Sequence, residues 1–249
     1  MLKLFKSLFI FLFTLSLNAQ IPIEFYNPSF EGTPRKGRLK ANTYLSGWSD
    51  CAHNEFPEES SFDIQSGFFE VETAPVDGNT FVGLITRANG SYESICQELY
   101  ELIVKDSTYQ FSIYLAKSEE YESPTRASFE EVKKQSAKKI DEKGRKRKKR
   151  KKREKANESN QDNRAEIVYK QFNENTILKV YGGIDKCSKD ELLFTSKEIS
   201  HNNWKEYIIE FVSPSNNIKF ISFEAYFPDD SVFTRGNLMI DYISNGLKE

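Results

Sequence analysis

Histidine is almost missing from this chain: only His53 and His201 occur in 249 residues. Both lie in polar, loop-like stretches, where a solvated surface side chain is the ordinary reading. There is no His-Glu-x-x-His pair to hold a catalytic zinc, no Gly-x-Ser-x-Gly elbow and no phosphate-cradling glycine loop. Long apolar runs are scarce as well. One covers residues 7–17, short of the roughly 20 residues that a spanning helix needs. No second run of that kind follows, so no membrane span is expected. These shortages point away from metallohydrolase and nucleotide chemistry.

The single apolar run has the context of an export signal. Lys3 and Lys6 precede it, and Asn18-Ala19-Gln20 follows it. Residues 1–19 are therefore expected to be a signal peptide cut after Ala19, the alternative being a retained N-terminal anchor. No Cys follows the cut, so a lipid anchor there is not indicated. The mature protein is expected to be secreted, periplasmic or held at the cell surface, with residues 20–249 forming a single domain large enough for its own core.

What the chain has instead is aromatic residues, 20 Phe and 12 Tyr against two Trp and two Met. Aromatic and β-branched residues suit a pleated, half-buried surface. Residues 107–117 alternate with period two: Tyr109, Phe111, Ile113 and Leu115 share one face, and Gln110, Ser112, Tyr114 and Ala116 the other. Further strands are expected at 23–26, 62–64, 68–71, 80–87, 91–99, 176–181, 192–199, 204–212, 218–227 and 237–243. Turn signals separate many of them, among them Asp77-Gly78, Asn89-Gly90 and Pro214-Ser215-Asn216-Asn217. Gly83, inside a strand, predicts a bulge or a close backbone approach. The reading is all-β, a two-sheet antiparallel β-sandwich.

One stretch breaks the pattern. Residues 133–155 hold fifteen Lys or Arg against three acids in a chain whose net charge is −2. Such a block cannot bury enough apolar surface to order itself. Residues 126–164 are expected to be a disordered, charged, low-complexity insertion within the domain, with some helix near 128–140. The block lacks the aromatic interleaving of a single-strand nucleic-acid binder. It is either a contact for polyanions such as acidic glycans, lipid head groups or extracellular DNA, or a tolerated loop.

Of the three cysteines, Cys51 and Cys187 lie in loop-like contexts and Cys96 in a strand. An odd count in an exported chain suggests one bridge and one spare thiol. The favoured pairing is Cys51–Cys187, with Cys96 buried as a small hydrophobe.

Several segments resemble a known family. Asn27-Pro28-Ser29-Phe30-Glu31-Gly32, the following Gly47-Trp48, and a closing strand with Asp241 are similar to the galactose-binding-like jelly rolls of carbohydrate-binding-module type. Asp77 to Leu84, followed by Gly90, Tyr92, Glu93 and Ser94, resembles exported domains of Bacteroidetes-type bacteria. Tyr242 after Asp241 departs from the family's Asn. The resemblance implies a jelly roll with first and last strands adjacent, a carbohydrate ligand and a structural calcium held by Glu31 and Asp241, hard oxygen ligands suited to that ion. The alternative is that backbone amides or a nearby Lys satisfy both acids. Sugars stack on aromatic rings while polar groups reach their hydroxyls. The candidate ligand-binding residues are Trp48, Tyr92, Tyr114 and Tyr181, with Arg87 and Asn89 as hydrogen-bonding partners; core or edge packing is the alternative for Trp48. The expected function is non-catalytic carbohydrate binding. A protein-binding envelope or adhesion module stands second and a carbohydrate-active hydrolase third.

Overall fold

A computed structural model describes residues 21–39, 41–56, 60–124 and 168–244. The leader at 1–19 and the basic insertion at 126–164, with its expected helix near 128–140, lie outside the described residues. The elements run β1 (Ile21–Pro22), β2 (Ser49–Asp50), α1 (Ala52–Glu55), β3 (Asp63–Gln65), β4 (Phe81–Ile85), β5 (Ser94–Glu98) and β6 (Thr108–Lys117). They continue with β7 (Glu122–Pro124), β8 (Tyr169–Gln171), β9 (Ile177–Gly183), β10 (Glu191–Thr195), β11 (Lys205–Val212), β12 (Phe220–Tyr226) and β13 (Asn237–Ser244).

Two sheets pack face to face as an antiparallel β-sandwich. In the first, β11, β6, β13, β4 and β3 lie side by side. The second runs β10-β9-β12-β5-β2, antiparallel throughout. Alternation builds the core between them: Phe111, Ile113 and Leu115 of β6 meet Val180, Ile221 and Phe223 of the second sheet. The outer face of the first sheet is also covered. Phe81, Ile85, Ala116 and Met239 pack beneath Val71, Tyr121 and Phe172. That double covering explains why every residue of β4 is buried and why it reads as a continuous apolar run.

The first and last strands, β1 and β13, lie end to end along one edge of β6 rather than paired with each other. β1 pairs in parallel with β6 at Ile21↔Tyr109, beyond the place where β13 leaves β6 at Ser244↔Ser112. The Ile243 amide donates to Pro28 O at 2.9 Å. Residues 23–26 alternate as expected, Ile23 and Phe25 buried, Glu24 and Tyr26 exposed. The ladder-paired residues are Ile21–Pro22, however, because at Tyr26 the Gln97 side chain replaces a strand partner. It accepts from Tyr26 N at 2.7 Å and donates to Tyr26 O at 2.8 Å.

A second correction concerns 68–71, which is a turn rather than a strand. Phe69 and Glu70 take left-handed backbone angles, and the turn closes through Gly67 N to Val71 O and Val71 N to Phe68 O, each at 3.1 Å. The turn swings Phe69 onto Tyr121, with ring centroids 4.7 Å apart. Gly83 marks a close approach, as a Cβ there would lie 3.1 Å from Asn237 Oδ1. At the point where the charged insertion leaves the sandwich, β7 and β8 form a two-stranded antiparallel ribbon, with Ser123 opposite Lys170.

Candidate functional site

Tyr92 and Tyr181, far apart in sequence, come together on the outer face of the second sheet. Register sets this. In β12 and β9, Glu224 lies opposite Lys179 and Ser222 opposite Tyr181, all on the face away from the core residues Phe223 and Val180. Ser94 of β5 also lies opposite Glu224, so Tyr92, two residues earlier, falls beside Tyr226. Their rings meet edge to face at 5.0 Å. Phe56, after α1, meets Tyr92 edge to face at 4.9 Å.

A cation occupies the centre of this aromatic group. The Lys189 ammonium lies 2.5 Å from Glu224 Oε2 and 3.3 Å from Glu55 Oε1. It also lies 4.9 Å from the Tyr92 ring centroid and 6.0 Å from that of Tyr181. Glu224 is 1% exposed, and its burial raises its carboxyl above the ordinary range while Lys189 opposes the rise. The Lys179 ammonium sits over Tyr226 at 3.3 Å from the ring centroid, a cation–π arrangement. Burial first, and the Glu224 carboxylate with it, lifts the phenols of Tyr92 and Tyr181 well above their usual range. Both therefore remain neutral hydroxyls at physiological pH, able to donate and to accept.

The cysteines tie this site down. Cys51 and Cys187 form the expected disulfide, with Cα atoms 5.5 Å apart. Cys51 immediately precedes α1, which carries Glu55, with Phe56 next. Cys187 lies two residues before Lys189. The bridge fixes both loops that supply the site's rim. Cys96 is buried and free, its sulfur 3.4 Å from that of Cys187, and burial pushes its thiol up, which favours the inert protonated form.

The other sequence candidates lie elsewhere. Trp48 is a core residue, 5% exposed, packed on Phe30 and Phe223 at 4.8 and 5.5 Å. Its indole N–H donates to Asn27 O at 3.1 Å, so it offers no ring face to a ligand. Arg87 ion-pairs with buried Glu93 and donates to Ser60 Oγ at 2.6 Å. The Asn89 side chain caps its own turn, accepting from Ser91 N at 3.1 Å. Tyr114 is on the first sheet beside Tyr242, centroids 6.1 Å apart, away from Tyr92 and Tyr181. Sequence reasoning missed Phe56, Lys179, Lys189, Glu224 and Tyr226. The one signal for them was Glu224, a charge in the middle of an otherwise apolar strand.

Glu31 and Asp241 converge on one loop, but as acceptors of N–H groups. Glu31 Oε1 accepts from Asn79 N at 2.7 Å and Thr80 N at 2.9 Å, and Oε2 from Asn79 Nδ2 at 3.2 Å. Asp241 Oδ2 accepts from Val76 N at 2.6 Å and Asp77 N at 3.2 Å, and Oδ1 from Tyr242 N at 2.8 Å. A calcium ion needs six to eight oxygens directed at it, whereas here amide hydrogens are directed at the carboxylates. Among the described residues, the His, Cys, Asp and Glu ligand atoms that gather in threes are the sulfurs of Cys51, Cys96 and Cys187. As arranged, Glu31 and Asp241 do not fit a shared calcium site.

No family model and no curated protein matches the chain. Solved structures do. The CBM22-1 xylan-binding domain of Paenibacillus barcinonensis Xyn10C aligns at 9% identity over 91% of this chain and 95% of its own, with a TM-score of 0.41. A Stig cyclase from Fischerella sp. TAU aligns at 10% identity over 90% of this chain and 96% of its own, with a TM-score of 0.45. At such scores neither lends a residue role to this chain.

Proposed function

We propose that this protein is an exported, non-catalytic carbohydrate-binding β-sandwich that takes a neutral sugar chain across Tyr92, Tyr181 and Tyr226. The observation that carries the reading is the gathering of these three half-buried tyrosines around the Lys189–Glu224 pair on the outer face of the second sheet. The rings supply an apolar surface for the C–H face of a pyranose, and the phenols and two ammonium groups supply hydrogen bonds to its hydroxyls. Lys189 touches both nearby carboxylates, Glu224 and Glu55. It fills the space where a hydrolytic pair of acids would need a water or a glycosidic oxygen, which supports binding without cleavage. A disulfide and a signal-like leader agree with export. Among the described residues, no helix is long and apolar enough to cross a membrane.

The test is a screen against neutral oligosaccharides, followed by titration of Tyr181→Ala and Tyr226→Ala. The expected result is a loss of about tenfold or more in affinity for each, since a stacked aromatic contributes on the order of 1 kcal/mol beyond its buried area. No new reducing ends should appear. Undiminished binding in both variants would remove the face from consideration. A second reading, protein binding at an envelope surface, draws on Ile208 and Val212 of β11, 63% and 60% exposed.

A further inference from the structure

A cleft of about 840 Å³ opens between residues 33–38 and 44–46, with Phe68 on its wall. Its lining shares no residue with the tyrosine face. Arg35, Lys36 and Arg38 supply one side and Tyr44 the other.

The basic side is built rigidly. Arg35 and Ile64 exchange two backbone hydrogen bonds of 2.9 Å, and Arg38 O accepts from Ser61 N at 3.1 Å. Between them, Gly37 N donates to Asp63 Oδ1 at 2.6 Å. A Cβ at Gly37 would lie 1.8 Å from Ser61 O, so only glycine lets this segment press so closely against 61–63. The Lys36 ammonium lies 4.6 Å from the Phe69 ring centroid. Among the described residues, none of the three cations forms an ion pair with a carboxylate. Glu31, the acid in the lining, is already engaged by Asn79 and Thr80.

Tyr44 is 78% exposed, although Thr43 and Leu45 on either side are 4% and 1% exposed. Thr43 is pinned by Asp50, Ser61 and Phe62, and Leu45 O accepts from Trp48 N at 3.0 Å. The backbone therefore holds an open aromatic ring in place at the mouth of a cationic cleft. Its place at the mouth, opposite Arg35, Lys36 and Arg38, leaves a ring face free for a ligand that enters the cleft.

We infer that this cleft is a second binding site, for an anionic sugar: a pyranose stacked on Tyr44 whose carboxylate or sulfate is held by Arg35, Arg38 and Lys36. A guanidinium fork matches either anion in a bidentate fashion. A sugar chain fits better than nucleic acid. Duplex DNA carries a charge every 1.7 Å or so, against at most one per ring along such a glycan. The choice of a sugar rests on the proposed function; the residues that bind it do not.

The experiment is calorimetric titration of the full chain with tetragalacturonate, its methyl ester, a sulfated galactotetraose and a short DNA duplex. The expected result is that the galacturonate or the sulfated sugar binds, each weakening as salt rises. Against the sugar that binds, Arg35→Gln/Arg38→Gln and, separately, Tyr44→Ala should lower affinity about tenfold or more. Tyr181→Ala should leave it unchanged. The methyl ester should bind at least about tenfold more weakly than the acid if the carboxylate is the anion recognised. Tyr44 is so exposed that its substitution leaves folding intact, which keeps the test readable. Failure of both anionic sugars to bind, binding untouched by the arginine and tyrosine variants, or DNA competing at the same residues would each overturn the inference. Because Tyr181→Ala tests the other face separately, neutral-sugar binding that survives it would count against the tyrosine face, while an intact cleft titration would still support the cleft and its ligand.

Discussion

Lys189 and Glu224 are 35 positions apart in sequence and 2.5 Å apart in space, joined through the register of β9 with β12 and the disulfide-anchored loop after β9. The carboxylate is 1% exposed and the lysine side chain 15%. Removing one member of such a pair leaves the other buried without a counter-charge, the expensive case for a buried ion pair. Lys189→Met should therefore destabilise the fold by about 3 kcal/mol, read as a fall in denaturation midpoint with unchanged slope. Adding Glu224→Gln should recover most of it. The pH response gives a further check. Burial already raises Glu224, and without Lys189 it rises further. A carboxyl raised in the folded state favours folding below its unfolded pKa, and that advantage disappears as pH climbs through the folded value. The single variant should thus be least impaired in acid, and the double variant should show little pH dependence. A single variant equally stable with wild type at neutral pH would mean that the pair is solvated and weak.

Asp63 and Glu93 form a second buried pair, beneath the first sheet's covering loops. Asp63 accepts from Gly37 N at 2.6 Å and from the Tyr121 hydroxyl at 2.7 Å. Glu93 accepts from Ser60 Oγ and Ile85 N, each at 3.0 Å, and is ion-paired with Arg87. Burial raises both carboxyls above their ordinary range; in Glu93 the Arg87 guanidinium opposes the rise and repulsion from Asp63 adds to it. Both values lie above those of the unfolded chain. Their contribution is therefore complete below about pH 4 and is lost as pH rises through the raised folded-state values of the pair. Urea denaturation at about pH 5 and about pH 8 should show lower stability at the higher pH, and Asp63→Asn should flatten the difference. A wild type that gains stability over this interval would contradict the assignment.

Much of this was legible from two local signals, alternation and turn residues. β6 falls where period two predicts it, and β11, β12 and β13 fall between the expected turns, within a residue or two. Cys51 and Cys187 were legible as a pair because both stand in loops that a sandwich end can bring together. The failures share a cause too: each depended on a partner distant in sequence. Trp48 reads equally well as platform or core until Phe30 and Phe223 are known to surround it. Residues 68–71 have strand composition, but their place over Tyr121 demands a turn. The site itself was half visible, since Tyr92 and Tyr181 were candidates while Lys189 and Glu224 were not. An acid in an apolar strand does not announce which lysine will neutralise it.

Asp241 holds the 76–77 backbone to the closing strand through two amide donors, Val76 N and Asp77 N, and accepts from Tyr242 N of its own strand. Asp241→Ala should leave those amides without a partner and destabilise the protein by about 2 kcal/mol. Asp241→Asn, which keeps an acceptor oxygen but loses the charge, should fall between. Because the acid serves N–H groups, EDTA should leave the melting temperature of the wild type unchanged, and so should added calcium. A calcium-dependent rise that Asp241→Ala abolishes would establish instead that an ion displaces these amides.

The β7–β8 ribbon bears directly on the charged insertion. Glu122 pairs with Gln171, Ser123 with Lys170 and Pro124 with Tyr169, so the segment leaves and rejoins the sandwich at adjacent points. Beneath the ribbon, Phe172 N donates to Tyr121 O at 2.9 Å, and both side chains are buried in the cluster that covers the first sheet. Replacing residues 126–164 by a short Gly-Ser turn therefore asks nothing new of the folded chain. Loop closure grows only logarithmically with length, so the shorter connection should leave stability the same or raise it by about 1 kcal/mol. The deleted stretch contains the block of fifteen cations against three acids at 133–155. Wild type should bind heparin at low salt and release it steeply as salt rises, as counterion release requires. The deletion should elute earlier while keeping neutral-sugar binding at Tyr181. If it retains residual heparin binding that Arg35→Gln/Arg38→Gln then removes, the cleft and the insertion act on the same class of ligand. A deletion variant that fails to fold would show that the segment is an integral part of the sandwich, and unchanged heparin elution would assign all polyanion binding to other surfaces.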